Sequence, residues 1–158
     1  MELRAFVKYR LGWLPILIFF SGCSMAFHDQ PSTGRLEREF LKTTFATRTH
    51  TSSVNRQVMA LLGSMADPGE VYNYTDAVNL KLPMTGLIFA GEARNMTFVF
   101  YNQGGIASTK RLLLAELNDK KDVVHACGYR LEGTGTYKDA QELMKDFPAG
   151  FHKERCLR

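Results

Sequence analysis

The spacing of hydrophobic residues changes along the chain, from a helical repeat to the alternation that is typical of strands. In the segment 34–45 the apolar residues fall close to one helical face, at Leu36, Phe40, Leu41 and Phe45. A broader apolar stripe over 54–65, with Ser53 as a candidate N-cap, predicts a second helix. The hydroxyl-rich stretch 43–53 predicts a linker or an edge strand, because its side chains compete with helix formation.

After Glu70 the apolar and polar residues alternate. The segment 78–82 alternates between apolar and polar positions and predicts a half-buried strand that ends at Pro83. Two apolar runs, 86–90 and 96–101, are separated by a short polar loop and predict a β-hairpin. The second run is rich in aromatic and β-branched residues, which is typical of a central strand.

The remaining segments predict a second hairpin and one more helix. The runs 111–117 and 122–131 flank a polar tetrapeptide that suits a hairpin tip. A helix over 106–117 remains the alternative, because this stretch contains good helix formers. A last helix, capped by Thr136, ends at Phe147-Pro148 and leaves a basic tail. The predicted fold is α+β: an antiparallel sheet of four or five strands, with two N-terminal helices and one C-terminal helix, and with helices on one sheet face only.

The first 22 residues follow the plan of a secretory signal. A basic head carries its charges at Arg4, Lys8 and Arg10. An apolar run over 11–20 follows, and small residues, Ser21 and Gly22, come next. The run is about half the roughly 20 residues that span a bilayer, and Pro15 interrupts it. We therefore predict a cleaved export signal and not a transmembrane helix.

The end of this segment, Phe20-Ser21-Gly22-Cys23, resembles the lipobox of bacterial lipoproteins. The resemblance implies that the thiol of Cys23 receives a diacylglycerol, that the signal is cut before it, and that the new amino group is acylated. It also implies, from Ser24 in place of Asp, a location on the periplasmic face of the outer membrane. Three segments follow from it: a cleaved signal, 1–22; a lipidated cysteine and tether, 23–33; and a single periplasmic domain, 34–158.

Composition argues against a nucleic-acid partner. The chain has 158 residues and a net charge of +4, of which the predicted signal accounts for +2. The remaining basic residues form only short pairs, Lys110-Arg111 and Lys120-Lys121, and no basic stripe that would follow a phosphate backbone. With 45% hydrophobic residues, the exported part suits one domain with its own core.

The two remaining cysteines suit an oxidising compartment. If Cys23 is lipidated, Cys127 and Cys156 form an even pair, which predicts a disulfide. Two unpaired thiols are the alternative. A zinc site that adds His125 and His152 is disfavoured, because the four residues lack the close paired spacing of zinc ligands.

Catalytic chemistry finds little support in the sequence. On a regular strand Val123, His125 and Cys127 share one face, but a Cys127–His125 dyad needs a free thiolate and lacks a third group to orient the imidazole. The glycines of 132–138 lack the spacing of a phosphate-binding loop. We therefore predict no enzyme, no catalytic residue, no metal and no cofactor.

Surface aromatic residues suggest binding to another protein. The segment 72–101 has more aromatic residues than a small sheet needs, and Tyr72, Tyr74 and Tyr101 are candidates for a partner-binding face. The sequence predicts a non-catalytic, lipid-anchored accessory or assembly subunit that binds another protein of the cell envelope. The alternatives are a periplasmic small-ligand carrier or inhibitor of a foreign enzyme, and a hydrolase built on His125 and Cys127.

Overall fold

Four long consecutive strands form the centre of a seven-stranded sheet. A computed structural model describes residues 31–75 and 78–157 of the chain, so the predicted signal and Cys23 lie outside the described residues. The helices are α1 (Pro31–Lys42), α2 (Arg56–Leu62) and α3 (Ala140–Asp146). The strands are β1 (Ala46–Arg48), β2 (Met65–Ala66), β3 (Thr85–Glu92), β4 (Met96–Gln103), β5 (Thr109–Leu117), β6 (Val123–Leu131) and β7 (Phe151–Leu157).

The sheet is an antiparallel meander with a short parallel addition. Its strand order is β1-β3-β4-β5-β6-β7, and β2 pairs in parallel with the beginning of β3. Both β1 and β2 therefore lie along the same edge of β3. The α+β class is confirmed, with antiparallel pairing throughout apart from β2.

Helices cover both faces of the sheet, whereas the sequence predicted helices on one face only. Leu36 and Phe40 of α1 and Leu143 of α3 pack on one face, in a cluster with the aromatic residues of β3 and β4. Val58 of α2 and Val54, two residues before that helix, pack on the opposite face. The strands are therefore buried on both sides, which explains their nearly continuous apolar sequence.

A group of aromatic rings fixes α1 to the sheet. The fully buried ring of Phe40 meets Phe98 edge-on at 5.5 Å between centroids and Phe147 at 5.1 Å. Edge-to-face pairs at this spacing add to the hydrophobic gain of burial. Phe40 thus joins α1 to a central strand and to the end of α3.

The two predicted hairpins are confirmed, and the segment 106–117 contains a strand and no helix. In β5, Leu112 and Leu114 belong to one core cluster while Leu113 and Ala115 belong to the other. Because helices pack on both faces of the sheet, alternate residues of β5 are buried on opposite sides. Packing therefore overrides the helix propensity of this segment.

The predicted number of strands, four or five, is wrong, since the sheet has seven. The hydroxyl-rich segment supplies β1, and the predicted basic tail supplies β7, which pairs with β6. The predicted strand over 78–82 is not formed: Leu82 N donates a hydrogen bond to Asn79 O at 3.0 Å, which closes a turn there. Leu80, read as a core residue, is 95% exposed.

The predicted helix caps lie at different residues. Asn55, two residues after Ser53, caps α2 by accepting hydrogen bonds from Gln57 N and Val58 N. Asp139 caps α3, in place of Thr136. Helix α1 begins at Pro31, inside the predicted tether of 23–33. Each shift moves a boundary by a few residues, because several polar side chains compete for the same free N–H groups.

Candidate protein-interaction surface

One buried asparagine organises the loop between β2 and β3. The Nδ2 of Asn73 donates to the carbonyl oxygens of Asn79 and Leu82, both at 2.8 Å, and its Oδ1 accepts from Asn79 N at 2.8 Å. Its backbone N donates to Pro83 O at 2.9 Å. Asn73 is 4% exposed, so this amide replaces water for the polar backbone groups around it. These hydrogen bonds therefore tie residues 79–83 of the loop to Asn73.

The loop is also clamped to the end of the sheet by close contacts at two glycines. Gly104, in the β4–β5 turn, donates to Met84 O at 2.8 Å, and an added Cβ there would lie 1.5 Å from Asn73 O. The ring of Tyr72 covers Gly86, where an added Cβ would lie 2.7 Å from the ring. Only glycine permits approaches this close. The β2–β3 loop and the β4–β5 turn thus form one framework.

This framework exposes apolar side chains. We call them the apolar end of the sheet: Val71, Tyr74, Val78, Leu80 and Ile106. Leu80 is 95% exposed and Ile106 is 94% exposed, so neither contributes to the core. Groups of exposed apolar side chains on a fixed backbone are typical of sites that bind other proteins. Fixing the loop in advance also lowers the entropy that binding has to overcome.

The three predicted partner-binding tyrosines do not lie together. Tyr72 and Tyr74 are paired edge-on, with ring centroids 6.0 Å apart, and Tyr74 is exposed. Tyr101 is only 7% exposed and packs under α2 on the other side of β4, so it offers almost no surface to a partner. Burial raises the pKa of the Tyr101 phenol, and the nearby Arg111 partly offsets that rise. We therefore leave Tyr101 out of the surface.

Sequence reasoning missed the two most exposed residues of this surface. Alternation with polar neighbours predicts a strand position for Leu80, and Ile106 follows a glycine pair, just before the predicted strand 111–117. The signal for Ile106 is present in the sequence, since a single large apolar residue in a Gly-Gly turn has no core position to occupy. The role of Asn73 carried no signal, because its bonds depend on the path of the loop.

The predicted cysteine pair lies opposite in neighbouring strands. Cys127 of β6 and Cys156 of β7 are direct partners in the register, with their sulfur atoms at a disulfide distance of 2.19 Å. Nε2 of His125 lies 3.3 Å from Cys127 Sγ. Val123 is not on the same face as these residues, because a bulge at Val124 turns it toward α2. A sulfur in a disulfide is no thiolate, so this arrangement gives no support to a Cys127–His125 hydrolase.

A pocket beside α1 is too small to favour a carrier. It lies between the helix and the β3–β4 turn and is lined in part by Arg35, Glu39 and Glu116. Its volume is about 60 Å³, whereas small-molecule sites are usually in the range of roughly 300–1,000 Å³. Arg35 spans it, donating to both carboxylate oxygens of Glu116 at 2.8 and 2.6 Å. Such a space suits water and not a metabolite.

Comparison with known proteins adds no relative. No protein-family model, no curated protein and no solved structure matches the chain. Among residues 31–75 and 78–157, no helix has both the length and the apolar character to cross a bilayer. Function therefore has to be inferred from the sequence and from the geometry described above.

Proposed function

We propose that the protein is a lipid-anchored, non-catalytic lipoprotein of the cell envelope, and that it binds another envelope protein through the apolar end of the sheet. In this proposal residues 1–22 are a cleaved signal and Cys23 carries the lipid on the periplasmic face of the outer membrane. The observation that carries the binding role is the exposure of Leu80 and Ile106 on a framework that Asn73 joins by hydrogen bonds. An accessory or assembly subunit needs such a surface and no active site.

The length of the proposed tether supports a domain held close to the membrane. Seven residues separate Cys23 from Pro31, where α1 begins. Fully extended, the eight Cα steps between these two residues span at most about 28 Å. The beginning of α1 would therefore lie within a short distance of the membrane.

The position of the apolar end favours a protein as its binding partner, rather than the membrane that holds the anchor. Arg35 of α1 pairs with Glu116 near the C-terminal end of β5, while the apolar end adjoins the turn that precedes β5. Nine residues of β5 extend over roughly 30 Å, so the two sites are at opposite ends of the sheet. A domain tethered at α1 can thus present Leu80 and Ile106 away from its own anchor.

A double substitution tests the binding role. Leu80→Gln with Ile106→Gln removes apolar surface without touching the core, so the fold is expected to remain intact. The control is Leu61→Gln, at an exposed apolar position of α2. Chemical cross-linking in intact envelopes, followed by purification of each variant, should give a discrete cross-linked partner with the wild type and with the control, and none with the double variant. Equal yields from all three chains would refute this surface.

A separate measurement tests the anchor. The intact mass of the membrane-extracted protein should correspond to a chain that begins at Cys23 and carries acyl groups. Cys23→Ser should leave the chain unprocessed and unacylated, because the thiol that accepts the diacylglycerol is gone. A mature chain that starts elsewhere and carries no lipid would refute the anchor but leave the cross-linking result valid.

A further inference from the structure

Strands β6 and β7 bring together three side chains that are dispersed in the sequence. Nε2 of His125 and the sulfurs of Cys127 and Cys156 all lie within 4.8 Å of one another. His125 and Cys127 share a face of β6, and the register places Cys156 directly across from Cys127. A bulge at Glu154 in β7 keeps Cys156 and Lys153 on the face that α1 and α3 cover. These are the atom types that bind soft metal ions.

The distance between His125 Nε2 and Cys127 Sγ is close to the one in a tetrahedral zinc site. Zn–S and Zn–N bonds of about 2.3 and 2.05 Å place a thiolate and an imidazole nitrogen about 3.6 Å apart, and two thiolates about 3.8 Å apart. Nε2 of His125 is already 3.3 Å from Cys127 Sγ. The sulfur pair has to separate, and Cys156 lies half-buried on the last strand, where a side chain can shift more easily than in the core.

Charge balance favours a divalent ion at this depth. Cys127 is fully buried and His125 is 7% exposed, so a net charge would be costly there. Two thiolates neutralise Zn²⁺ and the imidazole binds as a neutral ligand, which leaves no net charge. Three protein ligands leave a fourth position for water.

We propose that His125, Cys127 and Cys156 form a zinc site in the reduced protein, and that the Cys127–Cys156 disulfide closes it. Reduction opens the site: two electrons break the S–S bond, and each sulfur takes up one proton. With a water-soluble phosphine as the reductant, the phosphine gains the oxygen of a water molecule, and that water supplies both protons. When zinc binds, each thiol releases its proton to the buffer.

The test compares zinc binding by oxidised and reduced protein. The full chain, purified in detergent, is treated with a phosphine and titrated with Zn²⁺ against a competing chelator. Co²⁺ serves as an optical probe, because thiolate ligation gives a charge-transfer band. The variants are His125→Gln, which removes one ligand but keeps the disulfide, and His152→Gln, a matched change at an exposed histidine of β7.

The reduced wild type and His152→Gln should bind one zinc ion with equal affinity and show the cobalt band. His125→Gln should bind zinc at least about 100-fold more weakly than the wild type. Losing a residue that only orients a metal ligand lowers the metal affinity by roughly 10–100-fold, so a larger loss identifies His125 as a direct ligand. The oxidised protein should not bind. Equal affinity in His125→Gln, or no binding by the reduced wild type, would overturn the proposal. If the reduced chain unfolds, added zinc should restore its circular dichroism, and a chain that stays unfolded in zinc also overturns it.

Discussion

Replacing Asn73 by alanine should release the β2–β3 loop without unfolding the sheet. The substitution removes three side-chain hydrogen bonds from a site that is 4% exposed. At about 1 kcal/mol for each bond, the loop conformation loses about 3 kcal/mol. Neither core cluster contains a described residue of this loop, so its release costs little apolar burial. The loss is therefore expected to be local.

Native-state hydrogen exchange measures this loss residue by residue. The amides of Leu82 and Gly104, which donate to Asn79 O and Met84 O, report on the loop and its clamp. Their protection should fall about 100-fold, since 1.4 kcal/mol corresponds to a factor of ten. Amides in the centre of β4 and β5 should keep their protection, because they open only when the whole sheet unfolds.

A control at the other end of the sheet separates loop release from general destabilisation. Asn118 Oδ1 accepts from Lys120 N and Asp122 N, both at 2.9 Å, in the β5–β6 turn. Asn118→Ala should lower stability while the amides of Leu82 and Gly104 stay protected. The reasoning fails if Asn73→Ala leaves these two amides unchanged, or if it exposes the central strands to the same degree.

Three further outcomes are expected. Gly104→Ala should lower the free energy of unfolding in urea by about 1–3 kcal/mol, because the added Cβ would lie 1.5 Å from Asn73 O. The control Gly128→Ala, whose added Cβ has its nearest contact at 3.7 Å, should change this free energy by less than about 0.5 kcal/mol. Burial and a hydrogen bond with Asp146 raise the pKa of Tyr137 from 10.0 to about 12. The stability from Tyr137 is therefore complete below pH 10 and is lost as the pH rises to about 12. In urea unfolding, the free energy of unfolding of Tyr137→Phe should fall less over this pH range than that of the wild type. Equal falls in the two chains would contradict the raised pKa of Tyr137. In zinc-free buffer, reduction of the disulfide should lower the free energy of unfolding by about 3–4 kcal/mol, as expected for a sequence separation of 29, and a loss under about 1 kcal/mol would contradict it.

The central strands were predictable because local pattern and tertiary position agree. The run 96–101 is aromatic and β-branched, and it lies in the middle of the sheet as β4. Where the two disagree, the pattern failed. The segment 78–82 alternates like a strand, yet the side chain of Asn73 holds it in a turn. Alternation identifies a strand only if a neighbouring strand is available to pair with it.

The candidate sites depended on bulges and contacts that the sequence does not reveal. A bulge at Val124 changes which residues of β6 share a face, and a second bulge in β7 sets the face of Cys156. A one-residue shift moves side chains to the opposite side of a sheet. Spacing along the sequence disfavoured a zinc site made of His125, His152 and the two cysteines, whereas the fold places His125 and both cysteines within 4.8 Å of one another.

The sequence by itself determined the central hairpins, the helical segments and the mixed class of the fold, because hydrophobic periodicity is a local property of the chain. It also supplied the expectation of an exported, lipid-anchored protein, which rests on residues 1–23 alone. Only the tertiary structure decided that Leu80 and Ile106 are exposed, that Tyr101 is buried, and that β7 meets β6. These features arise from pairing and packing between distant segments, which no local pattern records.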